Sequence, residues 1–383
     1  MVFELWGVYN EYCVYLHYLR LILTKPTKLK KQKYFGYSID PVELQDIKKI
    51  GVLCSGLIGD VFMRVPIIEA LKQRFPQAKI TAIVDPAARD VLSNHPDCHE
   101  VIVLRRNKRP FVRYLFNNIN RVIWLRRQHF DLFINLYSGG SSTTITRLVN
   151  ARIRLGFDHT KALRWSNNLL VKTPSFCQHW TVALGKKLVP LGITDKQIRR
   201  GSSFHITEAA SHRAAQLLPK QSRYLAINLG AGKEVKRWPV VSFVELAEKI
   251  SEQHGLTPVV LTNPGMEQLS AEFVEQYRGE CIKLPVLSLN EVGAVMQRCV
   301  ALITGDTSIM HMAFGVKVPN MVLFTDTRPE IVEPEDCMHI ACFIEDPDNI
   351  NSCGKPSGTV KIPVNYAYQK FEILSNMLEK PQK

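Results

Sequence analysis

From residue 48 onward, short apolar runs alternate with stretches of helical periodicity. KKIGVLCS (48–55) is an apolar run of strand length. DVFMRVPIIEALKQRF (60–75) places apolar side chains at 61, 65, 68, 71 and 75, the spacing of one helical face. KITAIVD, EVIVL and FDLFINL follow as strand candidates, each ending near Asp, Arg or Asn. This β–α–β alternation predicts a parallel, doubly wound sheet with ligands at the carboxyl ends of its strands.

Between about 190 and 205, Gly, Ser and charge replace the periodicity. A second α/β series then begins. YLAINLGAG reads as a strand and turn, and PVVSFVELAEKISEQHG as a helix with Pro239 near its first turn. TPVVLTN, CIKL, VALITGD and PNMVLFTD supply further strands. The expected organisation is two Rossmann-like units, 48–195 and 205–365, facing one another across a cleft that is the default ligand site. An extension, 1–47, precedes them, and a helix over 366–383 is free to pack back on the first unit. Within the extension, apolar residues at 8, 12, 15, 16, 19, 22 and 23 fit one helical face, and KPTKLKKQK follows. Such a segment suits either an anionic membrane surface or the protein's own flank. No run reaches the 18 to 20 apolar residues of a membrane span.

Charge sharpens this division. Residues 1–200 hold 32 Lys and Arg against 14 Asp and Glu, whereas 201–383 hold 17 against 21. The first half is therefore suited to an acidic partner. Its densest basic stretch, RRNKRPFVRYLFNNINRVIWLRR, offers Arg105, Arg106, Lys108, Arg109 and Arg113 with interleaved aromatics. No nucleic-acid-binding signature accompanies it, and an acidic, phosphorylated glycolipid or a membrane surface satisfies the same electrostatics. The nine cysteines are scattered without a Cys-x-x-Cys pair, which predicts reduced thiols rather than a disulfide or zinc framework.

Three turns carry candidate chemistry. In CSGLIGDVFMRVP (54–66) a strand runs through glycines into a helix, as in phosphate cradles, yet Asp60 puts a negative charge in the mouth. In VALITGDTSIMHMAFG, Asp306 is placed to cap a helix whose first amides, with the hydroxyls of Thr307 and Ser308, form a pyrophosphate cradle, and His311 follows a turn and a half later. In NLGAGKEVKRWP, a turn containing Gly230 is followed by Lys233, Lys236 and Arg237, cations placed to neutralise a departing diphosphate. The pair Asp346 and Asp348 has metal-binding spacing but lies in a polar loop. Gly56, Gly59 and Asp85 admit an alternative, a dinucleotide-dependent oxidoreductase, against which the charge of Asp60 counts.

At GDVFMRVPIIEALKQRFPQAKI, FDLFINL, RIRLGFD, KRWP with its following helix, and DTSIMHMAFGVKVP, the chain resembles glycosyltransferase family 9, the heptosyltransferases of the lipopolysaccharide inner core of Gram-negative bacteria. The resemblance covers about 48–330. It implies a GT-B fold, α/β with two facing Rossmann-like units, and an inverting transfer with no metal or other cofactor. The implied donor is a nucleotide sugar, ADP-heptose foremost and other nucleotide sugars as the alternative. The implied acceptor is an acidic glycolipid of the Kdo/lipid A type, with no nucleic-acid partner. The enzyme would be cytoplasmic, with peripheral inner-membrane contact open to it. By position, Asp60 is implied as the general base, and Lys236, Asp306, Thr307, Ser308, His311 and Gly230 as donor-binding. The basic set from Arg105 to Arg113 is left for the acceptor. Two departures stand out. Cys54 occupies the place where many members carry Arg, and the common DTG reads DTS here.

Overall fold

The computed structural model describes residues 34–35, 44–104, 111–137, 140–175, 177–218, 223–350, 353–358 and 361–379, with the backbone alone at 34–35, 111–118, 140–141, 235 and 357. The apolar segment 12–23 therefore lies outside the described residues.

Two all-parallel sheets form the frame, and the chain fills them in sequence. The first has seven strands in the order Tyr34–Phe35, Leu169–Val171, Ile153–Phe157, Leu132–Asn135, Lys49–Leu53, Lys79–Val84 and Glu100–Val103. The second has six, in the order Ile282–Val286, Thr257–Thr262, Tyr224–Asn228, Ala301–Gly305, Asn320–Phe324 and His339–Phe343. Central strands such as Leu132–Asn135 and Ala301–Gly305 are buried along their whole length. That burial explains why they read as continuous apolar runs rather than alternating ones. Parts of the N-terminal extension belong to the fold, since Tyr34–Phe35 pairs in parallel with Leu169 and Leu170 at the sheet edge, and Leu44 and Ile47 are buried in the core.

The helix expected over 60–75 is broken. It divides into Ile58–Phe62 and Val65–Arg74, with Pro66 in the first turn of the second piece. Proline has no N–H to give the carbonyl four residues earlier. Phe62 O instead accepts from Ser202 Oγ at 3.0 Å, and Met63 O from Thr181 Oγ1 at 3.0 Å. The break thus becomes an anchoring point for two later segments of the chain.

The segment between the sheets holds the halves together. Arg199 spans them, giving Nη2 to both oxygens of Glu69 at 2.9 Å and Nη1 to Asp336. Phe204 packs edge-on against Phe62, and its N–H bonds Gly315 O at 3.1 Å. Two further findings correct the sequence reading. Cys177 and Cys353 are joined in a disulfide, with Cα atoms 5.5 Å apart although 176 residues separate them; spacing along the chain could not reveal that the fold brings these loops together. The C-terminal helix, Val364–Glu379, does not pack back on the first half. Its buried stripe of Ala367, Phe371 and Leu374 joins the second half's own core beside Val240, Phe243 and Ile250, and His254 binds Glu372 at 2.8 Å. No helix among the described residues is long and apolar enough to cross a membrane.

Candidate functional site

Each sheet reverses its strand order once, between Lys49–Leu53 and Leu132–Asn135 in the first and between Tyr224–Asn228 and Ala301–Gly305 in the second. Leu53 is level with Asn135, and Asn228 with Thr304. The turns that follow these strands therefore flank the crevice where a doubly wound sheet takes its ligand. All three candidate turns are among them.

In the first turn Leu57 is the N-cap, and its N–H donates to Asp60 Oδ2 at 2.8 Å. The carboxylate is thus turned back on its own helix start, where N–H groups and the helix dipole favour an anion. A phosphate has no place there. Gly56 N–H donates to Asp85 Oδ2 at 2.8 Å, and Asp85 is buried. The acid that a dinucleotide fold would turn toward a ribose here closes the turn from within, which counts against the oxidoreductase reading.

In the second half the strand ends at Gly305, and the cap is Thr307 rather than Asp306, since Thr307 Oγ1 accepts from Ile309 N–H at 3.2 Å. Thr307 lies one residue closer to the helix start than Asp306, and Asp306 has a stronger partner. Asp306 is paired with Lys236 Nζ, which also donates to Thr327 Oγ1 at 2.9 Å. Burial pushes the Asp306 carboxyl up, but the charge and hydrogen bond of Lys236 outweigh it and hold the group below the ordinary range. Asn228 ties this turn to its neighbour by donating to Thr304 Oγ1 at 2.8 Å and to Thr307 Oγ1 at 3.3 Å, and it accepts from Asn263 at 2.6 Å. Gly230 lies beneath that network. A Cβ there would sit 2.2 Å from Asn263 Nδ2, so its glycine is needed for packing, whereas Gly232 has open space around it.

The two turns meet. A Cβ on Gly59 would lie 3.0 Å from His311 Cδ2 and 3.8 Å from Ser308 Cα, so the helix carrying Asp60 rests on the helix that starts at Ser308. His311 is buried, and burial pushes its imidazole down to about 4. Asp306 and Asp60 pull the other way, while His179 and Lys236 add to the depression. His311 is therefore neutral at pH 7, and those four groups surround it. His179 is unexpected. It is buried at the start of helix Trp180–Gly185, with the backbone of Val332 and Glu333 against its ring.

Not every candidate is brought in. Arg105, Arg106, Lys108 and Arg109 lie outside the described residues, and Arg113 falls on helix Phe111–Arg127 where only the backbone is described. Asp346 and Asp348 sit on a short antiparallel hairpin, Glu345–Ile350 with Pro356–Gly358. Thr327, Asn228, Asn263 and His179 escaped the sequence reading. Asn228 and Asn263, polar residues closing apolar strand runs, left a signal in the sequence.

The family model for glycosyltransferase family 9 (heptosyltransferase) matches residues 123–347. Lipopolysaccharide heptosyltransferase 3 of Escherichia coli K12 is 24% identical over 278 residues, spanning 70% of this chain and 80% of its own length. Among solved structures, a glycosyl transferase family 9 protein from Veillonella parvula aligns over 89% of this chain and all of its own, with TM-score 0.76 and 23% identity. The E. coli ADP-heptose lps heptosyltransferase II aligns over 87% of this chain and all of its own, with TM-score 0.73 and 18% identity. With a matching family model over more than half its length and the two-sheet GT-B frame around facing turns, the chain belongs to glycosyltransferase family 9 and is a glycosyltransferase.

Proposed function

We propose that this enzyme transfers heptose from ADP-heptose to a hydroxyl of an acidic lipopolysaccharide-core glycolipid, with inversion and with Asp60 as the general base. The observation that carries the reading is the contact of Gly59 with His311 and Ser308. It sets a carboxylate from one half against a cation, hydroxyls and a helix start from the other.

In the proposed reaction Asp60 takes the proton of the acceptor hydroxyl as that oxygen attacks the anomeric carbon from the face opposite the diphosphate. The new C–O bond forms while the bond to the ADP oxygen breaks, and negative charge grows on the leaving diphosphate. Lys236, fixed by Asp306 and Thr327, has one further N–H for it, and the start of the Ser308–Val316 helix adds Thr307, Ser308 and its dipole. Neutral His311 fills the seam between the two turns without adding a positive charge of its own at pH 7. The excess of basic residues in the first half suits an anionic acceptor. Membrane contact through 1–33 belongs to the same proposal, because an amphipathic, basic segment there would bring the enzyme to a lipid-borne acceptor.

Steady-state kinetics with ADP-heptose and heptose-deficient lipopolysaccharide core test this reading. Asp60→Asn should lose transfer by at least about 10²-fold while ADP binding by calorimetry stays nearly unchanged. Lys236→Ala should weaken ADP-heptose binding and turnover together. Full turnover by Asp60→Asn would remove the base assignment. A thermal-shift panel in which another nucleotide sugar stabilises the protein and ADP-heptose does not would replace the donor.

A further inference from the structure

The break between helices Ile58–Phe62 and Val65–Arg74 leaves Arg64 at their junction, where its side chain folds back under the Asp60 turn and is buried. Arg64 Nη1 donates to Ser55 O. A Cβ at Gly56 would lie 2.8 Å from Arg64 Nη1 and 2.7 Å from Asp60 Oδ2, so guanidinium and carboxylate converge on the same face of one glycine. Only glycine leaves both of them room. The same carboxylate oxygen accepts from Leu57 N–H, and Gly56 N–H donates to Asp85.

Besides Asp85, the groups beneath this turn are cationic or neutral. Cys54 is fully buried, and burial pushes its thiol up to about 12, so it carries no charge. Lys187, also buried, gives Nζ to Asn135 O at 2.6 Å and lies 4.1 Å above the Phe157 ring. Burial first, and then Arg64, bring its ammonium down to about 7. Among Arg64, Lys187 and Cys54, Arg64 is thus the one that stays cationic, because a guanidinium keeps its proton where an amine or thiol gives way.

We propose that Arg64 is a positioning residue of glycosyl transfer: its guanidinium clamps the 54–57 turn through Ser55 and fixes the Asp60 carboxylate beside it for the acceptor proton. The proposal rests on Asp60 being the base. Arg64 itself is buried behind the turn and makes no contact with substrate. Its loss should lower turnover rather than binding, because a misplaced base costs about 10²-fold even when all other contacts persist.

Arg64→Met, Arg64→Lys and Arg64→Ala are to be compared with Asp60→Asn using ADP-heptose and heptose-deficient core as the probes. Arg64→Met should lower kcat about 10²-fold with the KM of both substrates and the ADP Kd within about twofold. Arg64→Lys, which keeps charge but not the fork, should recover part of the loss. Guanidinium ion added at millimolar concentration should raise the turnover of Arg64→Ala, and should leave Asp60→Asn unchanged. Wild-type kcat in Arg64→Met overturns the proposal, as does a raised acceptor KM at unchanged kcat, which would make Arg64 an acceptor ligand. Loss of ADP binding in Arg64→Met and Arg64→Ala alike, without recovery in Arg64→Lys or with guanidinium, would make it a residue of the fold alone and also overturns it. If Asp60→Asn turns over normally, the base reading fails first, whatever Arg64 does.

Discussion

His311 shows how a single side chain couples the site to the stability of the molecule. In the unfolded chain a histidine takes a proton near pH 6.5, whereas here burial holds it neutral down to about 4. Between these values the unfolded state binds the extra proton, so acid favours unfolding. Stability is complete above about pH 6.5 and falls as pH drops toward 4, by about 3 kcal/mol for this group. His179, depressed by burial as well, acts in the same direction. Urea unfolding across pH 4–7 should show this acid limb, and His311→Asn should flatten it without abolishing it; an unchanged slope would contradict the burial of a neutral ring. At this scale the sequence disclosed the turns better than their wiring. Asp60, Lys236, Asp306, Thr307, Ser308 and His311 stand out because strand, glycine and polar residue follow in order. The exchange of cap from Asp306 to Thr307 did not, since it depends on Lys236, 70 residues away. Arg64 read as one more polar position in a helix, and His179 as part of an unmarked loop.

At the scale of elements, the strands whose whole length is buried were the legible ones. Tyr224–Asn228 and Asn320–Phe324 are long apolar runs because both faces are covered, as they are along Lys79–Val84 beyond its exposed first residue. Tyr34–Phe35 and Leu169–Val171 are two and three residues long, and their strand character comes from the neighbours they pair with. The helix break was illegible for a related reason. Pro66 is tolerated in a first turn, so the sequence permits a helix start there, but the partner of the orphaned Phe62 carbonyl is Ser202, far along the chain. This makes a definite expectation. Ser202→Ala leaves that buried carbonyl unsatisfied and should cost about 1–3 kcal/mol. In the double variant with Pro66→Ala the new N–H can reach Phe62 O, so the pair should be less destabilised than the sum of the single changes. A denaturant double-mutant cycle measures this coupling; strict additivity would mean that the break is not set by the missing N–H.

Across the whole molecule, one apolar core cluster runs from the first half into the second, and further contacts fasten the seam at separate points. Gly59 rests on His311, Arg199 ties Glu69 to Asp336, and Phe204 wedges between Phe62 and Gly315. Burial pushes the Glu69 carboxyl up, but hydrogen bonds from His95 and Ser203 and the charge and hydrogen bonds of Arg199 bring it down to about 2, so this fastening persists throughout the neutral range. The Cys177–Cys353 bridge is the covalent fastening, joining a loop of the first half to the hairpin of the second. It lies beside His179 and Thr181, and Thr181 holds the end of the Asp60 helix through Met63 O. Closing a loop of 176 residues restricts the unfolded chain, and in the chain-entropy account this stabilises by up to about 4–5 kcal/mol. Cys353→Ser should therefore unfold at lower denaturant than the unreduced wild type. Reductant should move the wild type toward the variant and leave the variant where it is. Thiol titration of the unreduced, unfolded wild type gives the independent check, because it must fall two short of the nine cysteines in the sequence. Nine reactive thiols, or curves that ignore reductant, would leave the two halves held by noncovalent contacts alone.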